Sequence, residues 1–311
     1  MLVPEPTTSP SALEPHTGIG SEPTFSLVID APTPYDLNHP TDGMGLGAIF
    51  GMAWIALVAL AAIFADLLPL DDPERADFSS IATPPDANHW LGTDEIGRDI
   101  LSRVIYGARI SLMIGIVSVV LGLVVGGMFG LLAGYLRGLP ERIVMLLTDA
   151  LLAFPALVLL LCLAAVFGSN LPTLILGLAV LTVPTFTRLT RANSLVVGNR
   201  EFVVASRAYG SKPMRVILRD IVPNVLMPVM AYCFVVVGVV IVAEGSLSFL
   251  GLGIPNPTPS WGGMIAGGRI SLSETPHIVL VPSAVMFLTV LAMTLIGERF
   301  RRRYDVKESA L

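Results

Sequence analysis

Long apolar runs constrain this chain more than any other feature of its sequence. Several of them extend for about 20 residues, the length that a helix needs to cross the hydrocarbon core of a bilayer. Composition agrees, because 53% of the residues are hydrophobic and 14% are charged, whereas a soluble domain carries about 25% charged residues. The sequence therefore predicts an all-α polytopic membrane protein with six transmembrane helices. These helices cover about 44–67, 109–134, 143–167, 171–188, 224–246 and 278–297.

Two of the predicted spans contain proline: Pro155 lies in the third and Pro184 in the fourth, which is also the shortest. A membrane bundle tolerates proline where neighbouring groups satisfy the carbonyls that it frees. Both runs therefore remain candidate spans.

The distribution of Lys and Arg predicts the orientation of the spans, because loops on the cytoplasmic side carry an excess of these residues. With the N-terminus inside, 14 of the 19 Lys and Arg residues fall on the cytoplasmic side. The opposite orientation would place the arginine-rich segment 199–224 outside. We therefore expect a multi-pass protein of the cell membrane with both termini in the cytoplasm.

The rest of the predicted organisation follows from this orientation. Residues 1–42 carry six acidic residues and no Lys or Arg, a composition that indicates a disordered cytoplasmic tail. The following segments are the first transmembrane helix at 43–68, an extracytoplasmic loop at 69–108, a core of five further helices at 109–298 that includes a cytoplasmic loop at 199–220, and a basic cytoplasmic tail at 299–311.

The second predicted span carries a glycine at every fourth position. The series consists of Gly122, Gly126, Gly130 and Gly134. At helical pitch these residues form a narrow groove that another helix backbone can approach closely. The groove serves either ordinary packing within the chain or a contact with a gated pathway or partner subunit, and the sequence does not identify the helix that fills it.

The segment 199–224 is a polar interruption between two apolar runs, and its pattern predicts a short helix followed by a turn. Asn199 is a candidate N-cap, and Glu201 lies in the first turn, where the helix dipole favours a carboxylate. Gly210 suits a left-handed C-cap. The helix carries Phe202, Ala205 and Tyr209 on one face, and the basic residues nearby include Arg207 and Arg215. Two interpretations fit this pattern: a solvated cytoplasmic loop, or a helix that docks onto a soluble partner.

Two of the acidic residues within predicted spans are candidates for a transport pathway. Asp149 lies in the third span, where an unpaired charge costs about 2.5–3.5 kcal/mol or more, so it should face a cavity, a partner or an interface. Its two alternatives are a structural pairing role and a place in the substrate path. Glu244 lies near the outer end of the fifth span, beside a glycine-rich run. Further pathway or gate candidates in that run are Ser246, Ser248 and Phe249. The alternative for this group is packing at a helix end.

Several chemistries find no support in the sequence. Neither Lys212 nor Lys307 follows a GxxxxG pattern, so a phosphate-binding loop of the Walker A type is not predicted. Cys162 and Cys233 lie in apolar runs and indicate neither a disulfide nor a metal site. An intramembrane enzyme would need a nucleophile–base or metal set within the spans. An ion-coupled secondary transporter would show more buried carboxylates and broken helices.

Three motifs resemble the C-type permease subunits of dipeptide and oligopeptide ABC importers. Residues 91–103 read LGTDEIGRDILSR, residues 243–253 read AEGSLSFLGLG with PTPSWG at 257–262, and residues 201–210 read EFVVASRAYG, which is similar to the cytoplasmic EAA loop. The likeness extends over about residues 44–300. The chain departs from the EAA pattern at Val204, where the family has an acidic residue, and also at Ser206 and Asp220.

The resemblance implies a type I ABC importer permease fold in which the helix at 200–216 couples to an ATPase. The implied partners are a homologous B-type permease in a heterodimer, two cytoplasmic ABC ATPase subunits or one fused ATPase, an extracytoplasmic solute-binding protein and the lipid bilayer, with no nucleic acid. It implies no cofactor, metal or catalytic residue on this chain, because ATP and Mg are bound by the ATPase partners. The implied solutes are di- or oligopeptides, or a relative such as haem, a nickel chelate or glutathione.

Overall fold

The computed structural model describes residues 45–309, and the side chains of 45–302. The predicted acidic tail at 1–42 lies outside the described residues. Every regular element in the described part is helical. In chain order the helices are α1 (Leu46–Ile63), α2 (Ile100–Leu136), α3 (Leu139–Ala153), α4 (Ala156–Phe167), α5 (Leu171–Gly198), α6 (Glu201–Ala208), α7 (Pro213–Arg215), α8 (Val222–Phe249), α9 (Trp261–Gly268) and α10 (His277–Ser309).

Five helical segments are long and apolar enough to cross a bilayer, and a bent pair makes a sixth. The five are α1, α2, α5, the continuous segment Pro213–Phe249 and the Leu-, Val- and Met-rich part of α10. The sixth is the pair α3–α4 if it is counted as one span. The described residues therefore confirm an all-α membrane protein with five or six candidate spans.

The third predicted span is not one straight helix, and the prediction of a continuous element at 143–167 is wrong. The axes of α3 and α4 differ by 85°. Pro155 has no N–H, and its ring excludes the residue before it from the helical region. Phe154 accordingly has an extended backbone, with φ −75° and ψ 128°. The apolar run therefore continues through a break in the helix.

Three other helices extend past their predicted ends. The second starts at Ile100 rather than near residue 109, because the Asp99 carboxylate accepts a hydrogen bond from the Ser102 backbone N–H at 2.8 Å and caps it. The fourth continues to Gly198, beyond the predicted end at 188. The last continues through most of the predicted basic tail to Ser309. A helix that continues beyond the hydrocarbon core of the bilayer is no longer apolar there. The apolar runs alone therefore underestimated the lengths of these helices.

The core forms where α2 packs lengthwise on α5 and where α8 packs on α10 and α2. Ile114, Phe186 and Ile241 are fully buried there. The glycine series of α2 faces α5 of the same chain. A Cβ built on Gly126 would lie 3.0 Å from the Phe186 Cβ, and one built on Gly130 would lie 2.5 Å from the Thr187 carbonyl oxygen. The structure thus places an internal helix in this groove.

Candidate functional site

The short helix α6 is held against the bundle by one buried side chain and by contacts from the end of α2. Val203 is fully buried, as are Val216 and Ile221 in the segment that follows. The Arg207 guanidinium lies over the Tyr135 ring, 5.1 Å from its centroid. Because Tyr135 belongs to α2, this contact ties α6 to the end of the neighbouring helix.

The rest of α6 points away from the bundle. We give the name α6 surface to the exposed apolar side chains of α6 and the segment after it: Phe202, Val204, Tyr209 and Met214. Tyr209 is the extreme case, with 90% of its surface exposed. Exposed aromatic and aliphatic side chains grouped on one element are typical of a docking surface. Glu201, Ala205, Arg207 and Arg215 are exposed beside them.

Gly210 ends this helix in the way that the sequence predicts, whereas Asn199 does not begin it. Gly210 has φ +79°, a left-handed backbone that glycine adopts without strain, and its N–H donates to the Arg207 carbonyl at 2.9 Å. Asn199 instead follows the last residue of α5, and its side chain accepts a hydrogen bond from Arg137 at 3.1 Å. Arg200 holds the N-cap position. The N-cap prediction was therefore wrong by one residue.

A second cluster lies at the other end of α8, around Glu244. This side chain is fully buried, and its Oε1 accepts hydrogen bonds from the Ser248 hydroxyl at 2.8 Å and from the Ser260 hydroxyl at 3.0 Å. Ser260 also caps α9 through the Gly263 N–H at 3.0 Å. Glu244 thus joins α8 to α9 inside a packed contact.

Two of the other candidates near Glu244 face outward, whereas Ser248 is buried with it. Ser246 is exposed and donates to the Val242 carbonyl at 3.1 Å. Phe249 is exposed and lies 4.8 Å from the Arg269 guanidinium. The α8 helix continues through Phe249, so irregular backbone begins later in the glycine-rich run than the sequence indicated.

The LGTDEIGRD segment closes the loop between α1 and α2 onto the helices through charged side chains. Arg98 Nε donates to Asp94 Oδ2 at 2.7 Å. Buried Arg103 reaches two carbonyls, of Pro73 at 2.7 Å and of Pro257 at 3.3 Å. These contacts tie residues 69–75 and the loop after α8 to the start of α2, which gives the motif a structural role.

One further carboxylate joins this loop to the membrane helices. Asp66 accepts hydrogen bonds from Arg109 at 2.8 Å and from the Tyr106 hydroxyl at 2.9 Å. The Arg109 hydrogen bond, followed by that of Tyr106, lowers the pKa of Asp66 below its ordinary value. The contact fixes the end of α1 against α2.

The outer loop also contains the one group of described residues that could hold a metal ion. Donor atoms of Asp71, His89 and Asp99 lie within 4.8 Å of one another. Both oxygens of Asp99 already have partners, since Oδ1 contacts His89 Nδ1 at 3.1 Å and Oδ2 caps α2. The spacing of these residues along the chain is irregular, so sequence reasoning had no signal for the cluster.

Asp149 has a partner that sequence reasoning missed. Its Oδ1 lies 2.6 Å from Arg188 Nη2, and the two side chains are 57% and 52% exposed. Glu141 and Arg191 form a second ion pair between the same two helices. The residues are far apart in sequence, and only the antiparallel packing of α3 on α5 brings them together.

Candidate membrane-spanning helices, one of them broken, and a short helix with exposed apolar side chains are features expected of the membrane component of a transport system. The sequence profile of one family matches residues 126–307, more than half of the chain. The chain belongs to this family, the binding-protein-dependent transport system inner membrane components. Membership implies binding-protein and ATPase partners, and it agrees with a multi-pass membrane location.

Curated relatives cover most of the chain. The glutathione transport system permease protein GsiD of Pectobacterium atrosepticum is 37% identical over 257 residues, which are 83% of this chain and 85% of that protein. The protein of the same name from Escherichia coli is 38% identical over 261 residues, which are 84% and 86% of the two chains.

A solved structure confirms the fold. The inward-facing MetNI methionine ABC transporter contains a chain that aligns with a TM-score of 0.56 at 19% identity, over 66% of this chain and 97% of that one. The described residues therefore have the fold of an ABC importer permease.

Proposed function

We propose that this chain is the C-type permease subunit of an ATP-driven importer for small peptides, with glutathione and di- or oligopeptides as the solute class. It pairs with a homologous B-type permease, receives solute from an extracytoplasmic binding protein, and is energised by ABC ATPases in the cytoplasm. ATP and Mg are bound by those ATPases, and this chain carries no ATPase site. Identity of 37–38% to glutathione permeases supports the solute class.

The α6 surface carries the coupling part of the proposal. Val203 anchors the helix in the core while Phe202, Val204 and Tyr209 remain exposed. Because α6 is fixed to the core and its apolar surface is exposed, a movement of a bound ATPase would be transmitted to the bundle. Val204 replaces the acidic residue of the related motif, so the contact on this helix is apolar where an ion pair would otherwise form.

The proposed orientation places α6, and both termini, in the cytoplasm. The support is the excess of Lys and Arg around α6, in the loop between α2 and α3, and after α10. In this orientation the Glu244 cluster and the LGTDEIGRD segment lie on the outer side, where the binding protein docks.

Replacing Tyr209 with serine tests the docking surface. The side chain is 90% exposed, so the variant should keep the thermal stability of the wild-type chain. An aromatic anchor at the centre of an interface contributes about 2 kcal/mol or more, and its loss should weaken ATPase binding about 30-fold or more. Recovery of the ATPase subunits on a tagged form of this chain, measured against ATPase concentration, reports the change.

Phe78→Ser is the matched control. Phe78 is also a highly exposed aromatic residue, at 74%, but it lies in the outer loop. It should retain wild-type ATPase recovery. Equal recovery for both variants would remove α6 from the ATPase contact.

A further inference from the structure

The break between α3 and α4 opens a groove against α5. The groove has a volume of about 330 Å³, within the lower part of the range of about 300–1,000 Å³ for small-molecule sites. Its walls include Leu152, Phe154, Pro155, Leu159, Leu181 and Pro184. The lining is therefore apolar, with a proline on each of its two sides.

Those prolines leave polar backbone at the groove. The last carbonyls of α3 have no intrahelical donor because the helix ends at Ala153. Pro184 has no N–H, so the carbonyl of Val180, four residues earlier and also in the lining, loses its helical partner. Unpaired carbonyls at membrane depth occur only where the backbone is covered by protein or faces water. The groove is thus not a surface built for lipid.

The Asp149–Arg188 ion pair joins the two helices that wall the groove, about one helical turn from its lining residues. Asp149 precedes Leu152 by three residues and Arg188 follows Pro184 by four, so each charge shares a helix face with a lining residue. Arg188 lies about 26 Å along α5 from Leu171, near the cytoplasmic edge of the roughly 30 Å bilayer core in the proposed orientation. Both side chains remain more than half exposed. Charges exposed at this depth require water or a polar ligand.

We propose that this groove and ion pair form a binding subsite for the transported solute, specific for a zwitterionic, peptide-like molecule. The Asp149 carboxylate and the negative end of the α3 dipole receive the solute's ammonium group. The Arg188 guanidinium receives its carboxylate as a bidentate partner, and the groove receives an apolar side chain. The inference rests on the proposed importer function and assigns the solute contact to this chain.

Cysteine accessibility in the assembled, reconstituted importer tests the subsite. Leu152→Cys is placed in a background in which Cys162 and Cys233 are replaced by alanine. Membrane-impermeant cationic and anionic methanethiosulfonates are then applied in the resting and the vanadate-trapped states. We expect modification of Leu152→Cys in at least one state. Leu57→Cys, on an exposed face of α1, is the lipid-facing control and should not react.

The ratio of the cationic to the anionic modification rate at Leu152→Cys tests the charges of Asp149 and Arg188. Asp149→Asn should lower the cationic-to-anionic ratio about fivefold and Arg188→Gln should raise it about fivefold, because each removes one nearby charge. A free-ended dipeptide, alanyl-leucine, and S-methylglutathione should slow modification. N-acetyl-alanyl-leucinamide, which lacks both charges, should not.

Failure of this inference is distinguishable from failure of the importer function. If Leu152→Cys reacts in neither state, or reacts without protection by either free-ended peptide, while ATPase recovery and ATP hydrolysis are normal, the subsite is wrong and the importer stands. Ala153→Cys, a smaller change at an exposed position, decides the same question if the first variant does not assemble.

Discussion

Replacing Gly130 with alanine tests whether the close contact of α2 and α5 holds the bundle together. A Cβ at this position would lie 2.5 Å from the Thr187 carbonyl oxygen and 3.0 Å from the Arg191 backbone nitrogen. Both neighbours are backbone atoms, so no side chain can rotate away. The helices must separate by about 0.5–1 Å to restore ordinary contact distances.

The magnitude follows from two opposing terms. Alanine is favoured over glycine in a helix by about 1 kcal/mol, whereas overpacking a tight contact costs about 1–3 kcal/mol. Gly127→Ala isolates the second term, because it lies on the same helix and its Cβ would meet nothing nearer than Leu123 at 3.7 Å. The helix propensity gain is common to both variants. The stability difference between them is therefore the overpacking cost, about 1–3 kcal/mol.

Thermal unfolding of the purified chain in detergent measures this difference. One kcal/mol corresponds to about 2–4 °C in melting temperature for a chain of comparable size, so Gly130→Ala should melt several degrees below Gly127→Ala. A Gly130→Ala variant that melts at or above the temperature of Gly127→Ala would refute the reasoning. It would mean that the two helices adjust without loss, and the glycine series would have another purpose.

Two further predictions concern the outer side of the bundle. Glu244→Ala removes the acceptor for the Ser248 and Ser260 hydroxyls and should lose about 2–4 kcal/mol of unfolding free energy. Glu244→Gln keeps an acceptor oxygen and should lose less. Equal melting temperatures for the two variants would contradict the role of Glu244 in joining α8 to α9. The pKa of Asp66 is lowered in the folded chain, so its contribution to stability is complete above the unfolded pKa of about 4 and is lost as pH falls through the lower folded pKa. Acid melting curves of Asp66→Asn should lack this component, and those of the charge control Glu274→Gln should match wild type.

The spans were predictable from sequence because the thickness of the bilayer core requires apolar runs of about 20 residues, which other parts of this chain do not contain. The same signal could not reveal the bend at Pro155, since both halves of the broken helix are equally apolar. The Asp99 cap of α2 did have a local signal, an acidic residue just before an apolar helix. The helix was nevertheless predicted to begin near residue 109, because the motif around Asp99 was interpreted as a loop.

The site residues divide in the same way. Gly210 was predictable because a left-handed backbone depends on the residue itself. The partners of Asp149 and Glu244 were not, because they depend on which helices pack together. Arg188 follows Asp149 by 39 positions and Ser260 follows Glu244 by 16. A single sequence does not show which distant residues come into contact. The partners of Asp149 and Glu244 were therefore not predicted.

The proposed coupling role of α6 requires that a displacement of this helix reach the opposite end of the bundle, and the rigid parts of the chain suggest how. The link through Gly210 has open space around it and no side chain, so it transmits little force. Val203 transmits more, because it is buried in the same core as Val216 and Ile221 at the base of the Pro213–Phe249 rod. That base contains a π-helical turn, in which the Val222 N–H donates to the Ile217 carbonyl, a feature common at functional sites. At the far end Glu244 bonds the rod to α9. We therefore expect displacement of α6 to move the outer loop through side-chain packing.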